Sequence, residues 1–214
     1  MDAMGRWEPD ARGRLLQAAI ELFTERGYDA TTASEIAERA GLTKTTLFRH
    51  FADKREILFQ GQQTLTGLAE SGVRNAPDEY ADFDVLRAGV LALCTLHKVE
   101  HRDMGRQLDV ILSSSPELQE RAAFKRSAIT DALQKALTVR LGEARTAAVL
   151  ADIGVRAYYD GYASWIAAPN DEALADVVNN ELAAYESVLV AMRPRPLPPS
   201  SVESASATGR SVDG

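Results

Sequence analysis

Residues 31–54 read TTASEIAERAGLTKTTLFRHFADK. Thr32 and Glu35 have the spacing of a reciprocal cap, in which each side chain satisfies the other's backbone N–H at the start of a helix. Ile36, Ala37 and Ala40 then supply one apolar face, and Gly41 stops the helix after about eight residues, because glycine accepts the left-handed backbone of a helix end. Thr43 caps a second short helix. The two helices, joined by Gly41-Leu42-Thr43, have the helix-turn-helix layout, in which the second helix lies in a DNA major groove with its first turn on base edges. Lys44, Thr45 and Thr46 occupy that first turn and carry donors suited to phosphates and bases. Leu47 and Phe51, four apart, face the core, so Phe48, Arg49 and His50 project elsewhere. Arg49 is read either as a DNA contact or as a partner of Glu25. Lys54 is placed to reach phosphate from the flank.

Working outward, one helix precedes this motif. It begins after Pro9-Asp10, shows Leu15, Leu16, Ala19, Ile20 and Phe23 on one face, and ends at Gly27. After the motif, Asp53 is expected to open a longer fourth helix bearing Ile57, Leu58, Leu65 and Leu68, running toward Pro77. Beyond Pro77 the pattern predicts helices over 82–98, 102–113, 116–141, 144–167 and 171–192. No period-2 alternation or hairpin signal interrupts them. The expected fold is all-α, of about nine helices. A helix-turn-helix domain is expected over 1–58 and a helical effector and dimerisation domain over 59–192. From Arg193 the chain has four of its eight prolines and no aromatic residue, so 193–214 reads as a disordered tail.

Composition bounds the function. The 214 residues are 45% apolar with a formal charge of −7. Residues 1–60 hold nine Lys and Arg against ten Asp and Glu, so the acidic excess lies in the remainder and DNA contact must be focal. This charge argues against a protein that coats DNA with a broad basic surface, while a ligand-independent DNA-binding protein and a helical enzyme carrying a DNA-binding-like head stay as alternatives. No window approaches the roughly 18 apolar residues of a membrane span, and the start lacks a signal layout, so a cytoplasmic location without membrane contact is expected. Cys94 is the only cysteine, which excludes an internal disulfide. No nucleophile-base pair or phosphate loop is visible, so neither an enzyme nor a cofactor is expected.

The stretch quoted above resembles the N-terminal domain of TetR/AcrR-type regulators over about residues 11–58. By that resemblance Thr32 and Lys54 match phosphate contacts, and Thr43, Lys44, Thr45, Phe48 and His50 match positions that face DNA. Thr45 stands where many members have glycine, and Phe48 where many have tyrosine. Phe48 lacks the hydroxyl for a phosphate hydrogen bond but can meet a thymine methyl. The resemblance implies a homodimeric repressor, released from operator DNA by a small molecule. The fourth helix would be the lever between reading head and effector domain.

Two further sets of residues are candidates for those roles. Leu174, Val178, Leu182, Tyr185 and Leu189 form an apolar stripe on the last helix, and small residues including Ala151 and Gly161 on the preceding helix permit close approach. They are expected at a dimer interface. Tyr158, Tyr162 and Trp165 form an aromatic stripe whose polar atoms need partners, which suits an effector pocket shared with Leu93, Met104, Leu112 and Phe124. Cys94, His97 and His101 have metal-ligand spacing, but Leu86, Val90 and Leu93 share much of that face, and no metal is expected.

Overall fold

The computed structural model describes residues 10–192, and among these every regular element is helical. The tail expected over 193–214 lies outside the described residues. Helix α1 (Ala11–Arg26) starts where the Asp10 carboxylate accepts from the Gly13 N–H. It ends at Gly27, at φ +84°, whose N–H returns to the Phe23 carbonyl. Thr31, buried in the following loop, donates to the Gly27 carbonyl at 2.9 Å and ties the loop back to α1. Helix α2 (Ala33–Arg39) carries the reciprocal Thr32–Glu35 cap. Its far end is a Schellman motif: Leu42 N–H donates to the Ala37 carbonyl and Gly41 N–H to Glu38, with Gly41 at φ +67°. Arg14 donates to the Ala40 carbonyl left over. Helix α3 (Lys44–His50) begins where Thr43 Oγ1 accepts from Thr46 N–H at 3.1 Å. Leu15, Ile20, Ile36 and Leu47 are fully buried together. Each contributes about 1.5–3 kcal/mol by leaving water, which is what holds three short helices in one geometry.

The next segment departs from expectation. No continuous helix runs from Asp53: residues 54–61 form turns, and helix α4 (Gln62–Arg74) begins eight residues after Lys54. Asp53 does cap a turn, accepting from the Glu56 N–H at 3.0 Å. The bonds that follow are short-range, Leu58 N–H to Arg55 and Phe59 N–H to Glu56, and Gly61 at φ +95° breaks the path before α4. The turn carries Ile57 and Leu58 into the core of the first three helices.

Helices α4, α5 (Asp82–Cys94), α7 (Pro116–Leu141), α8 (Ala144–Ala167) and α9 (Leu174–Ala191) pack around a second core. Helix α5 stops four residues early, where the Thr95 hydroxyl bonds back to the Ala92 carbonyl and the chain enters a 3₁₀ turn over Val99–His101. Gly154 gives room to Leu86 and Val90, and Gly161 to Val178. The small residues of α8 thus serve close packing inside the protomer.

Helix α6 (Arg102–Ser113) joins the two cores. Ile111, Met104, Leu108 and Leu112 pack with the first. At its start, buried Arg102 donates to the carbonyls of Ala168 and Asn170 and, at 2.8 Å, to that of Glu172, while Arg106 reaches those of Ile166 and Ala168. These guanidinium groups occupy the carbonyls that the end of α8 leaves without partners.

Candidate nucleic-acid interface and effector cavity

The exposed side of α3 is a compact polar surface. Thr43, Lys44, Thr45, Phe48 and Arg49 are exposed, and Leu47 and Phe51 point inward. Phe48 is 46% exposed and flanked by Lys44, whose ammonium lies 5.8 Å from the ring centroid. An aromatic ring held in water beside a cation on a helix this short has no role in the core. Arg49 forms no ion pair among the described residues. Glu25 is taken by Arg39 at 2.9 Å, and that contact holds the Glu25 carboxyl below the usual carboxylate range. The alternative pairing of Arg49 with Glu25 is therefore corrected. His50 is half-buried beside Phe51, and its carbonyl accepts from Arg12. Arg12, on α1, is brought to the edge of α3 only by the fold, and no local spacing announces it.

Two expected phosphate contacts are used by the protein itself. Thr32 is exposed, but its hydroxyl donates to Glu35 at 2.8 Å and accepts from the Glu35 N–H as the cap of α2. The Lys54 ammonium donates to the carbonyls of Tyr28 at 2.7 Å and Thr31 at 2.8 Å and lies over the Tyr28 ring. Lys54 is corrected from a flanking cation to a clamp between the α1–α2 loop and the turn after α3.

A cavity of about 690 Å³ opens between α6, α7 and α8. Leu108, Asp109 and Leu112 line it from α6, Arg126 and Thr130 from α7, and Asp152, Tyr159 and Tyr162 from α8. Gly105 leaves room for the Tyr162 hydroxyl, which a Cβ there would approach to 2.7 Å. Arg126 lies over the Tyr159 ring at 4.0 Å. Burial, with Asp109 nearby, pushes the Tyr162 phenol up to about 12, so it is a neutral donor. The wall combines apolar surface, one cation, two carboxylates and two phenols.

Of the expected effector residues, Leu112 and Tyr162 reach this wall. Tyr158 is buried with its hydroxyl 2.7 Å from His97 Nε2, and Leu93 is in the core. Trp165 is buried, donates to the Glu172 carbonyl at 2.9 Å and has Arg102 over its ring. Met104 faces the first core, and Phe124, at 62% exposure, lies under Arg121 on the surface. The aromatic stripe is thus largely core whose polar atoms found partners in a loop and on α5's trailing turn. Cys94 is buried, with its thiol pushed up to about 12 by that burial, and His97 is turned to Tyr158.

The expected dimer residues divide in the same way. Ala151, Leu174, Val178 and Leu182 are sealed inside the protomer. Tyr185 is half-buried and donates to Asp160 at 2.8 Å, and Leu189 is exposed. The apolar surface that α8 and α9 leave open is Val149, 51% exposed, with Val188, 54% exposed, Leu189 and Val190.

Residues 15–60 match the family described as bacterial regulatory proteins, tetR family. The HTH-type transcriptional activator FasR of Mycolicibacterium smegmatis is 36% identical over 129 residues, covering 58% of this chain and 57% of that protein. The HTH-type transcriptional repressor KstR2 of Mycobacterium tuberculosis is 41% identical over 58 residues, covering 27% of this chain and 29% of its own. The chain spans about half the length of the first curated relatives it matches. Among solved structures, the transcriptional regulator FadR from Bacillus subtilis in complex with stearoyl-CoA is 17% identical, with a TM-score of 0.57 over 80% of this chain and 95% of that one. That similarity is one of fold alone. By its helix-turn-helix head the chain is similar to the tetR family of bacterial regulatory proteins, and the all-helical part behind that head shares the fold of a solved transcriptional regulator.

Proposed function

We propose that the chain is a homodimeric transcriptional repressor whose grip on operator DNA is weakened by a small molecule bound between α6, α7 and α8. The observation that carries this reading is the exposed face of α3, with Lys44, Thr45, Phe48 and Arg49 presented to solvent by a capped and fully packed head. Thr43, Lys44, Thr45 and Arg49 supply donors for phosphates and base edges, and Phe48 supplies an apolar contact for a thymine methyl. One such head binds weakly. Two, related by a two-fold axis, read half-sites whose centres lie about 34 Å apart. The open apolar surface of α8 and α9, centred on Val149 and Val188, suits the self-complementary contact that such symmetry demands.

The cavity supports the regulatory half of the proposal. Helix α6 contributes Leu108 and Leu112 both to the cavity wall and to the packing against the head's core. An occupant that moves α6 therefore changes the seat of the head. To lower operator affinity by 10- to 100-fold, the effector must bind the released conformation about 1.4–2.7 kcal/mol better than the DNA-bound one. Activation is a second reading, favoured by the match to an activator, FasR. Repression needs only occupancy of the operator, whereas activation also needs a surface for the polymerase.

Selection of duplexes from a random-sequence pool tests the proposal. A two-fold symmetric site, bound by a dimer in sedimentation, is the expected product. A pool without sequence enrichment would overturn it. A reporter placed behind the selected site then reads the sign of regulation.

A further inference from the structure

The turn that stands in place of the expected fourth helix carries a feature that the reading face and the cavity do not use. Glu56 accepts from Arg121 Nε at 2.6 Å and lies 3.3 Å from Lys125 Nζ, both on α7. All three side chains are largely withdrawn from solvent, at 19%, 24% and 15% exposure. One turn earlier on α7, Glu117 accepts from Arg55 at 3.0 Å and from the Tyr28 hydroxyl at 3.2 Å. Gln62 adds a bond to the Lys125 carbonyl at 2.8 Å. The head is thus joined to α7 by directed, charged hydrogen bonds at positions 117, 121 and 125, which recur every four residues and form one stripe.

The cavity wall uses the other side of the same helix. Ala122, Ala123, Arg126 and Thr130 line it, and at 3.6 residues per turn their mean direction is about 160° from that stripe. Glu56 itself moves with the head, because its neighbours Ile57 and Leu58 are buried there and its own N–H is held by Asp53. The Arg121 hydrogen bond keeps the Glu56 carboxyl below the usual carboxylate range, so the joint is charged at neutral pH. Apolar contacts such as those of α6 are non-directional and tolerate sliding, whereas a short charge-assisted bond fixes direction and distance.

We propose that Glu56 is the positioning residue through which occupancy of the α6–α8 cavity reaches the reading head, its carboxylate following Arg121 and Lys125 when an occupant displaces α7. This rests on the ligand-released repressor reading above. It assigns the coupling to the polar joint on α7 rather than to a continuous fourth helix.

The test needs no knowledge of the natural effector. Ala123 is exposed on the cavity wall, and Cys94 is buried with an unreactive thiol, so Ala123→Cys offers one site for N-benzylmaleimide, a covalent cavity occupant. Affinity for a duplex selected from a random-sequence pool is measured with and without the label. With Glu56 present, labelling is expected to weaken binding tenfold or more. In the Glu56→Gln background, which keeps the shape and removes the charge, the label should change affinity by less than twofold, with unlabelled affinity within threefold of the parent. Arg121→Gln should reproduce the loss, and Arg121→Lys should restore at least a threefold response. These two read the same bond from the α7 side if Glu56→Gln folds poorly. An undiminished label effect in Glu56→Gln and Arg121→Gln overturns the joint and leaves the repressor reading standing. A label without effect even when Glu56 is present overturns the cavity-to-operator coupling and the joint with it.

Discussion

Replacing Gly161 with alanine is expected to destabilise the protein, although alanine is the better helix former. In an unobstructed helix interior the exchange gains about 1 kcal/mol. Gly67 in α4 is such a place, exposed and with nothing within 4 Å of an added Cβ. At Gly161 the added carbon would stand 2.7 Å from Val178 Cγ2, 3.0 Å from its Cα and 3.3 Å from its N. A side-chain methyl can rotate away, but the Cα and N belong to the backbone of α9, so the two helices must separate by several tenths of an ångström. Overpacking of this kind costs about 1–3 kcal/mol, which offsets the propensity gain and leaves a net loss of up to about 2 kcal/mol. In a protein of this size each kcal/mol moves Tm by about 2–4 °C. Far-UV circular dichroism melts at one fixed protomer concentration should show Gly67→Ala about 2–4 °C above the parent and Gly161→Ala below the parent by up to about 8 °C. A Gly161→Ala protein that melts as high as Gly67→Ala would refute the close α8–α9 crossing and the assignment of the small residues to the protomer's interior.

Lys54→Met should leave two loop carbonyls without their donor and cost about 1–3 kcal/mol in urea unfolding. The slope of log affinity against log salt should stay unchanged, whereas a phosphate contact would lower it by about one unit per subunit. Val188→Arg, at an exposed site, should dissociate the dimer in sedimentation while the protomer stays folded, and Leu182→Arg, at a sealed one, should unfold it. His97, whose burial lowers its pKa to about 4 from the usual 6.5, stays neutral in the fold while the unfolded chain takes up a proton. Stability should therefore fall as pH drops from 6.5 toward 4 and level off below, and His97→Asn should flatten that part of a Tm-against-pH profile.

Local chemistry explains what the sequence revealed. The Thr32–Glu35 cap, the Gly41 turn and the Thr43 cap each depend on residues within five positions of one another, so spacing alone specifies them. The turn at 53–61 misled the reading because Asp53 does cap the Glu56 N–H, and only Gly61 signals that no helix follows. A periodic stripe shows that Leu174, Val178 and Leu182 are buried but not against which neighbour, and α5 and α8 of the same protomer supplied the cover. Trp165 needed an acceptor, and its acceptor is a loop carbonyl seven residues away rather than a ligand. A lysine's charge likewise does not name its partner, which for Lys54 is the backbone of another loop. The cavity is space left between three helices, and one of its two expected residues, Tyr162, was found only as part of a stripe whose other members pack inside.

The central claim is that the exposed face of α3 reads DNA. Its most direct test is a fluorescence-anisotropy titration of the selected duplex with the parent protein and with Lys44→Ala. Lys44 is exposed and supports nothing in the core, so the variant should fold as the parent does. Loss of a base-reading contact predicts binding weaker by about 1–3 kcal/mol, or about 5- to 150-fold. Equal affinity of the two proteins for that duplex would contradict the account.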